Sequence, residues 1–429
     1  MQAPGSEASP FSMAGSASCA LVAPVALPSH AGMRPAIWTT VAAAAASISL
    51  ALGMRQTFGL FLLPLSAEAG ISPAVLGTAV AIHNLVWGLS QPVTGSLADR
   101  YGAGRVMATG ALLLAAGVGL PALWTTAPAI LIGIGMLTGM GVSCCGTGAA
   151  LAAVGRAVPP ERRGEMIGLA SAGGSLGQAA MVPLAQSLIG GVGAIATLGM
   201  LGISLLVILP ISRAVEWQAP KQSPGRQATG LAGLPALAQQ ALADRGFALL
   251  TAGFFACGFQ LAFLTMHLPS HLTICGLPAG LGAMALMTVG LFNIPGSWLC
   301  GRVSNFMQPE RALAIIYAVR TVAIACFAFT TPSYAGTIVF AAVMGFVWLG
   351  SIPLTSAAIS RRFGVADLGA LYGVCFLSHQ VGGFLGAAAG AVLLETAGNY
   401  QAFWPVMIAV GIAASVMNWM VRAPRVAAA

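Results

Sequence analysis

Two arginines, Arg55 and Arg320, and four histidines, His83, His267, His271 and His379, lie inside long apolar runs of this 429-residue chain. A charge placed in such a run costs about 2.5 kcal/mol or more unless it meets water, protein or a ligand. A guanidinium keeps its proton and offers a planar fork that fits a carboxylate. Arg55 therefore reads as an anion anchor, with a bridge to helix-end carbonyls as the alternative. Arg320 either faces the same cavity or braces the structure from behind it, sharing hydrogen bonds with Tyr317 one turn earlier. Histidine changes charge near neutral pH, which makes His267, His379 and His83 candidate proton carriers. His267 reads equally well as a structural histidine. Its spacing from His271 is i, i+4, so the two rings share a helix face. That is also metal-ligand spacing, but no third ligand accompanies the pair and no metal is expected. Gln380 follows His379 among Gly382, Gly383 and Gly386, and Asn293 is a polar amide in a further apolar run. The candidate substrate-contacting set is Arg55, His267, Asn293, Arg320, His379 and Gln380.

What is missing narrows the chemistry further. No Asp or Glu lies at the middle of any apolar run, and no nucleophile–base pair or nucleotide motif appears. The glycines between Gly133 and Gly148 lie within one apolar run, where small residues serve close helix packing rather than phosphate binding. The sequence predicts no enzyme and no cofactor, so any work must be drawn from a gradient. A central region with two bases, four histidines and no acids favours an anionic substrate by Coulomb attraction. The eight cysteines show no CxxC spacing and read as small buried apolar residues.

The elements that carry these residues are membrane spans. With 58% hydrophobic and 7% charged residues and a mean hydropathy of +0.89, the chain is far from a soluble protein's ~25% charge. The net charge of +8 does not point to nucleic acid, because the bases fall between apolar runs. Residues 1–36 are rich in Ala, Pro, Ser and Gly and read as a disordered cytoplasmic tail rather than a signal peptide, since a basic start is lacking. Twelve runs then reach the ~20 residues a bilayer requires. They are residues 37–63, 73–95, 104–124, 127–154, 164–189, 191–212, 246–272, 279–300, 310–330, 333–359, 369–394 and 400–421. A polar stretch over 214–245 separates a six-span half, 37–213, from a second one, 246–422, and 423–429 forms a C-terminal tail.

Of 18 Lys and Arg, Arg55 and Arg320 lie within spans; the rest fall in the tails or at the connections after even-numbered spans. Connections after odd-numbered spans carry acids such as Glu68 and Glu395. By the positive-inside bias both termini are cytoplasmic, which in a bacterium means an inner-membrane protein. The halves also repeat. At an offset of 205, Arg156 aligns with Arg361, Gly164 with Gly369, Gly168 with Gly373 and Gly177 with Gly382.

Between spans 2 and 3 the chain reads GSLADRYGAGR, from Gly95 to Arg105. This resembles the signature loop of the major facilitator superfamily, matching at Gly95, Leu97, Ala98, Asp99, Arg100, Gly102 and Arg105. The resemblance implies an all-α membrane fold of twelve helices in two pseudo-symmetric six-helix halves. It also implies that Gly95, Asp99, Arg100, Gly102 and Arg105 act as a conformational latch. A degenerate second copy follows span 8 at Leu299-Cys300-Gly301-Arg302. Within span 1, Gly53-Met54-Arg55-Gln56-Thr57-Phe58-Gly59-Leu60-Phe61 looks like the monocarboxylate transporter and oxalate–formate branch, whose members often place a functional Lys or Arg here. That branch carries an Asp and an Arg in span 8, where this chain has Asn293 and Ser297, so the branch's coupling scheme does not transfer. Span 5 also lacks the drug exporters' Pro after its glycine.

The expectation is a secondary transporter of a small, monocarboxylate-like organic anion, proton-coupled, working as a monomer in the lipid bilayer by alternating access. A proton-driven exporter of drugs or hydrophobic metabolites is the alternative, suggested by eighteen methionines and by Phe254, Phe255, Phe259, Phe292 and Trp298.

Overall fold

The computed structural model describes residues 35–158, 163–215, 233–303, 306–363 and 368–422. The expected N-terminal tail up to residue 34, most of the connection between halves (216–232) and the C-terminal tail lie outside the described residues. Among the described residues, twelve helices cross the molecule. In the first half they are α1 (Ala36–Ala69), α2 (Pro73–Tyr101), α3 (Ala103–Leu123), α4 (Ala127–Leu151), α5 (Arg163–Val192) and α6 (Ala194–Ser212). In the second they are α7 (Arg245–Ile274), α8 (Ala279–Val303), α9 (Pro309–Phe329), α10 (Tyr334–Phe363), α11 (Leu368–Ala397) and α12 (Phe403–Met420). Eleven are both long and apolar enough to span a membrane. The twelfth, α5, is 30 residues long but carries Gln178, Gln186 and several glycines, which lower its hydropathy. Leu234–Ala243 forms a short additional helix before α7.

Local chemistry sets the helix ends. Ser72 caps α2 by accepting from the Ala74 amide at 3.1 Å, with Pro73 at the first helical position. Asp244 caps α7 through the Phe247 amide at 2.7 Å. Glu68, at the end of α1, accepts from the first amides of α6, Ala194 and Ile195, at 2.6 and 3.4 Å. The Gly95–Arg105 stretch differs from a loop: α2 continues through Tyr101, and the turn narrows to Gly102 at φ 92°. A left-handed residue here needs no Cβ, and α3 starts at once on Ala103. Asp99 and Arg100 lie on this last turn of α2; their side chains are outside the described ones.

The repeat seen in sequence is a repeat in packing. A Cβ on Gly177 of α5 would strike the backbone of Ser49 on α1, and one on Gly382 of α11 would strike the backbone of Phe255 on α7. Each half thus brings its fifth helix onto its first at a glycine. The fourth helix of each half is also interrupted, at Gly146 in the first and at Leu349–Gly350 in the second.

The halves meet through symmetry-related pairs, α2 with α11 and α5 with α8, and through α1 with α7. Ser72 on the α2 side donates to Glu395 at 2.8 Å, and Gly77 packs on Ala391. These contacts run from mid-depth to the face opposite the termini. Toward the terminus-bearing face, Thr147–Ala157 and Ser351–Phe363 pack mainly on helices of their own half. The contacts between halves thus concentrate from mid-depth to the face opposite the termini.

Candidate functional site

Arg55 reaches the seam from the middle of α1. It is half-buried; its Nη2 donates to Asn84 Oδ1 at 3.3 Å, and its Cζ lies 5.3 Å from the centre of the Trp87 ring. Asn84 and Trp87 are i, i+3 neighbours on α2 and so share one face. No carboxylate pairs with Arg55 among the described residues, and one of its five N–H donors is used by protein. A buffered cation with open donors, at mid-depth between two halves, can take a carboxylate bidentately without first breaking an ion pair.

Asn84 also binds the facing half. Its carbonyl accepts from Gln380 Nε2 at 2.9 Å, which fixes that amide so that Oε1 must accept. Gln380 Oε1 lies 2.8 Å from His379 Nδ1, so the neutral His379 ring donates from Nδ1 and keeps its lone pair on Nε2. His83 follows the same logic. Thr138 donates its single hydroxyl hydrogen to the Ile134 carbonyl, so His83 Nδ1, at 2.9 Å, must donate to the Thr138 oxygen. His83 Nε2 is then left buried with no partner. Among the described residues His83 thus keeps an unpartnered basic nitrogen, whereas the His379 side chain also hydrogen-bonds Cys257.

The other sequence candidates lie apart from this group. His267 is fully buried in the second half; Nε2 donates to the Ala387 carbonyl at 2.9 Å and Nδ1 takes the Tyr400 hydroxyl at 3.1 Å. Its neighbour His271 stacks edge-on against Trp404. Arg320, 2% exposed, spends Nε and Nη2 on the Val347 carbonyl at 3.2 and 2.6 Å, adds Trp348 O, and gives Nη1 to Cys257 Sγ at 3.1 Å. Those carbonyls end the first segment of α10, so the guanidinium covers an interrupted helix's negative end. Asn293 bridges three helices at the seam. Its Nδ2 donates to Ser175 Oγ at 3.2 Å, while Oδ1 accepts from the Leu349 amide at 3.1 Å and Ser297 at 3.3 Å.

The geometry thus gathers Arg55, His83, His379 and Gln380, ties Arg320 to His379 through Cys257, places Asn293 at the α5–α8 contact of the seam and leaves His267 elsewhere. It sets Asn84 against Gln380, as the repeat implies for the His83-Asn84 pair, and adds Trp87 and Phe376, which sequence reasoning did not place in the site. Helical spacing carried the signal: Trp87 is one turn from the polar pair His83-Asn84, and Phe376 one turn before Gln380.

A sequence profile of the Major Facilitator Superfamily matches residues 44–352, well over half of the chain. The chain belongs to the major facilitator superfamily. Its members are transporters, and this protein is a multi-pass membrane transporter rather than an enzyme. It is 24% identical to the oxalate:formate antiporter of Oxalobacter formigenes over 389 residues, covering 90% of this chain and 91% of that one. Monocarboxylate transporter 13 of Bos taurus is 25% identical over 380 residues, covering 86% and 85%. Among solved structures, a bacterial homologue of the human lysosomal transporter Spinster, inward-facing and unoccupied, matches with a TM-score of 0.67 at 13% identity. It covers 91% of this chain and 95% of its own, which supports the superfamily fold.

Proposed function

We propose that this transporter carries a small, monocarboxylate-like organic anion by alternating access, with protons as the coupling ion. The observation that supports the reading most is Arg55: a guanidinium at mid-membrane, on the seam, with no acid beside it and most of its donors open among the described residues. Asn84 and the Trp87 ring hold it in place, so binding an anion costs little reordering. His379 is the proposed proton carrier, because its Nδ1 is committed to Gln380 at the seam and its Nε2 can take a proton. His83 is the second candidate, beside Arg55. Protonation of either adds positive charge to the anion site, so proton and anion binding reinforce each other.

In this reading both termini face the cytoplasm of a bacterial inner membrane, and the carrier acts as a monomer. The latch at Gly95, Asp99, Arg100, Gly102 and Arg105 governs the rocking of the halves. The test is a thermal-shift screen of purified protein with small carboxylates, other anions, sugars and cationic drugs, repeated with Arg55→Gln. A ligand of the native state raises the melting temperature. Carboxylates are expected to stabilise the wild type and lose their effect in the variant. Equal stabilisation of both proteins by drugs would overturn the anion reading.

A further inference from the structure

Aromatic rings from three helices line the seam from Arg55 toward the terminus-bearing face. Trp87 on α2 meets Phe376 on α11 edge-on, with ring centres 5.2 Å apart and planes at 73°. Phe376 stacks on His379 at 5.7 Å and 5°, and on Tyr372 at 6.3 Å and 25°. Phe254 on α7 backs this row, 4.9 Å from His379 and 6.1 Å from Tyr372. Residues 372, 376 and 379 follow one another at single turns of α11, so their rings form a stripe along one helix face. Tyr372 and Phe376 are half-buried, keeping part of their ring surface open, whereas Phe254 is sealed behind them.

We propose that the substrate of this site is an aromatic carboxylate, with its carboxylate on Arg55 and its planar ring against Phe376 and Tyr372. This rests on the reading of Arg55 as the anion anchor and names the substrate class that reading leaves open. The wall has one cation at its inner end and no acid among the described residues, so its complement carries a negative charge at one end and an apolar plane behind it. Aromatic pairs favour centre-to-centre spacings of about 4.5–7 Å, the spacing already kept by these rings, so a further ring extends the row without distorting it. An aliphatic acid as small as acetate would occupy Arg55 and leave the stripe facing water. A hydrophobic cation would meet the Trp87 face already occupied by a guanidinium and be repelled.

The experiment is titration calorimetry on the full-length protein in detergent with benzoate, cyclohexanecarboxylate, acetate and benzyl alcohol. Benzoate and cyclohexanecarboxylate have the same number of carbons, so their ratio isolates the ring. Benzoate is expected to bind about tenfold more tightly than cyclohexanecarboxylate, and more tightly still than acetate. Phe376→Leu, or Tyr372→Leu should the first variant fail to fold, is expected to collapse the benzoate-to-cyclohexanecarboxylate ratio several-fold. Equal affinity for those two acids would overturn the aromatic inference while leaving the anion reading intact. Absence of any carboxylate binding, or binding of benzyl alcohol as tight as benzoate, would overturn both.

Discussion

Replacing Arg320 by Ala separates a structural guanidinium from a substrate-binding one. The side chain is 2% exposed and holds the Val347 and Trp348 carbonyls at the end of an interrupted helix segment. The Trp348 carbonyl also takes a long 3.4 Å bond from Ser351 Oγ, and leaving a buried polar group poorly matched costs about 1–3 kcal/mol. Two such groups set an upper bound of ~6 kcal/mol. Hydrogen bonds inside membrane proteins average nearer 0.6 kcal/mol in double-mutant cycles, because local rearrangement finds other partners. The expected destabilisation is therefore about 2–4 kcal/mol, measured by reversible unfolding in mixed micelles. Arg320→Lys keeps the charge but not the fork and should recover part of the loss. Arg55→Gln, which gives up one 3.3 Å bond from a half-buried side chain, should cost about 1 kcal/mol or less. The reasoning is refuted if Arg320→Ala unfolds like the wild type, or if Arg55→Gln proves the more destabilising of the two.

The glycines of the repeat give a paired test. Gly177→Val and Gly382→Val drive a Cβ into backbone on the neighbouring helix and should abolish a monodisperse peak on size exclusion. Gly168→Ala and Gly373→Ala, aligned by the same offset but facing open space, should fold like the wild type. His267→Phe breaks bonds to both Ala387 and Tyr400 and should cost about 2–3 kcal/mol by the same unfolding assay, with little effect on the pH profile of transport. His379→Asn should flatten that pH profile, read as the uptake rate across a series of buffers.

Much of the architecture was legible because membrane spans are written in composition. Length, apolar runs and the placement of Lys and Arg are enough to count twelve helices and divide them six and six. The repeat was legible for a steric reason: glycines that let helices touch, such as Gly177 and Gly382, recur wherever the contact recurs. Helix ends were less so. Gly95–Tyr101 reads as a polar connection, yet it continues α2, because charge near a helix end does not stop a helix; the left-handed Gly102 does. The interruptions of α4 and α10 left no clear mark in sequence either, since Gly146 and Gly350 sit among many other glycines.

In the candidate site, Arg55 and His379-Gln380 stood out because polar groups in apolar runs always do. Arg320 stood out for the same reason, but sequence alone cannot say whether a buried cation meets a substrate or a broken helix. Trp87, Tyr372 and Phe376 were hidden. In an apolar helix an aromatic residue faces lipid, core or cavity with the same sequence signature, and only the partner helices decide.

Flux of a radiolabelled carboxylate into proteoliposomes under an imposed pH gradient, for the wild type and Arg55→Gln, tests the central claim most directly. Gradient-driven accumulation is expected of the wild type, with loss of at least 90% of it in the variant, a factor of ten or about 1.4 kcal/mol in transition-state binding. Accumulation by Arg55→Gln at the wild-type rate would contradict it.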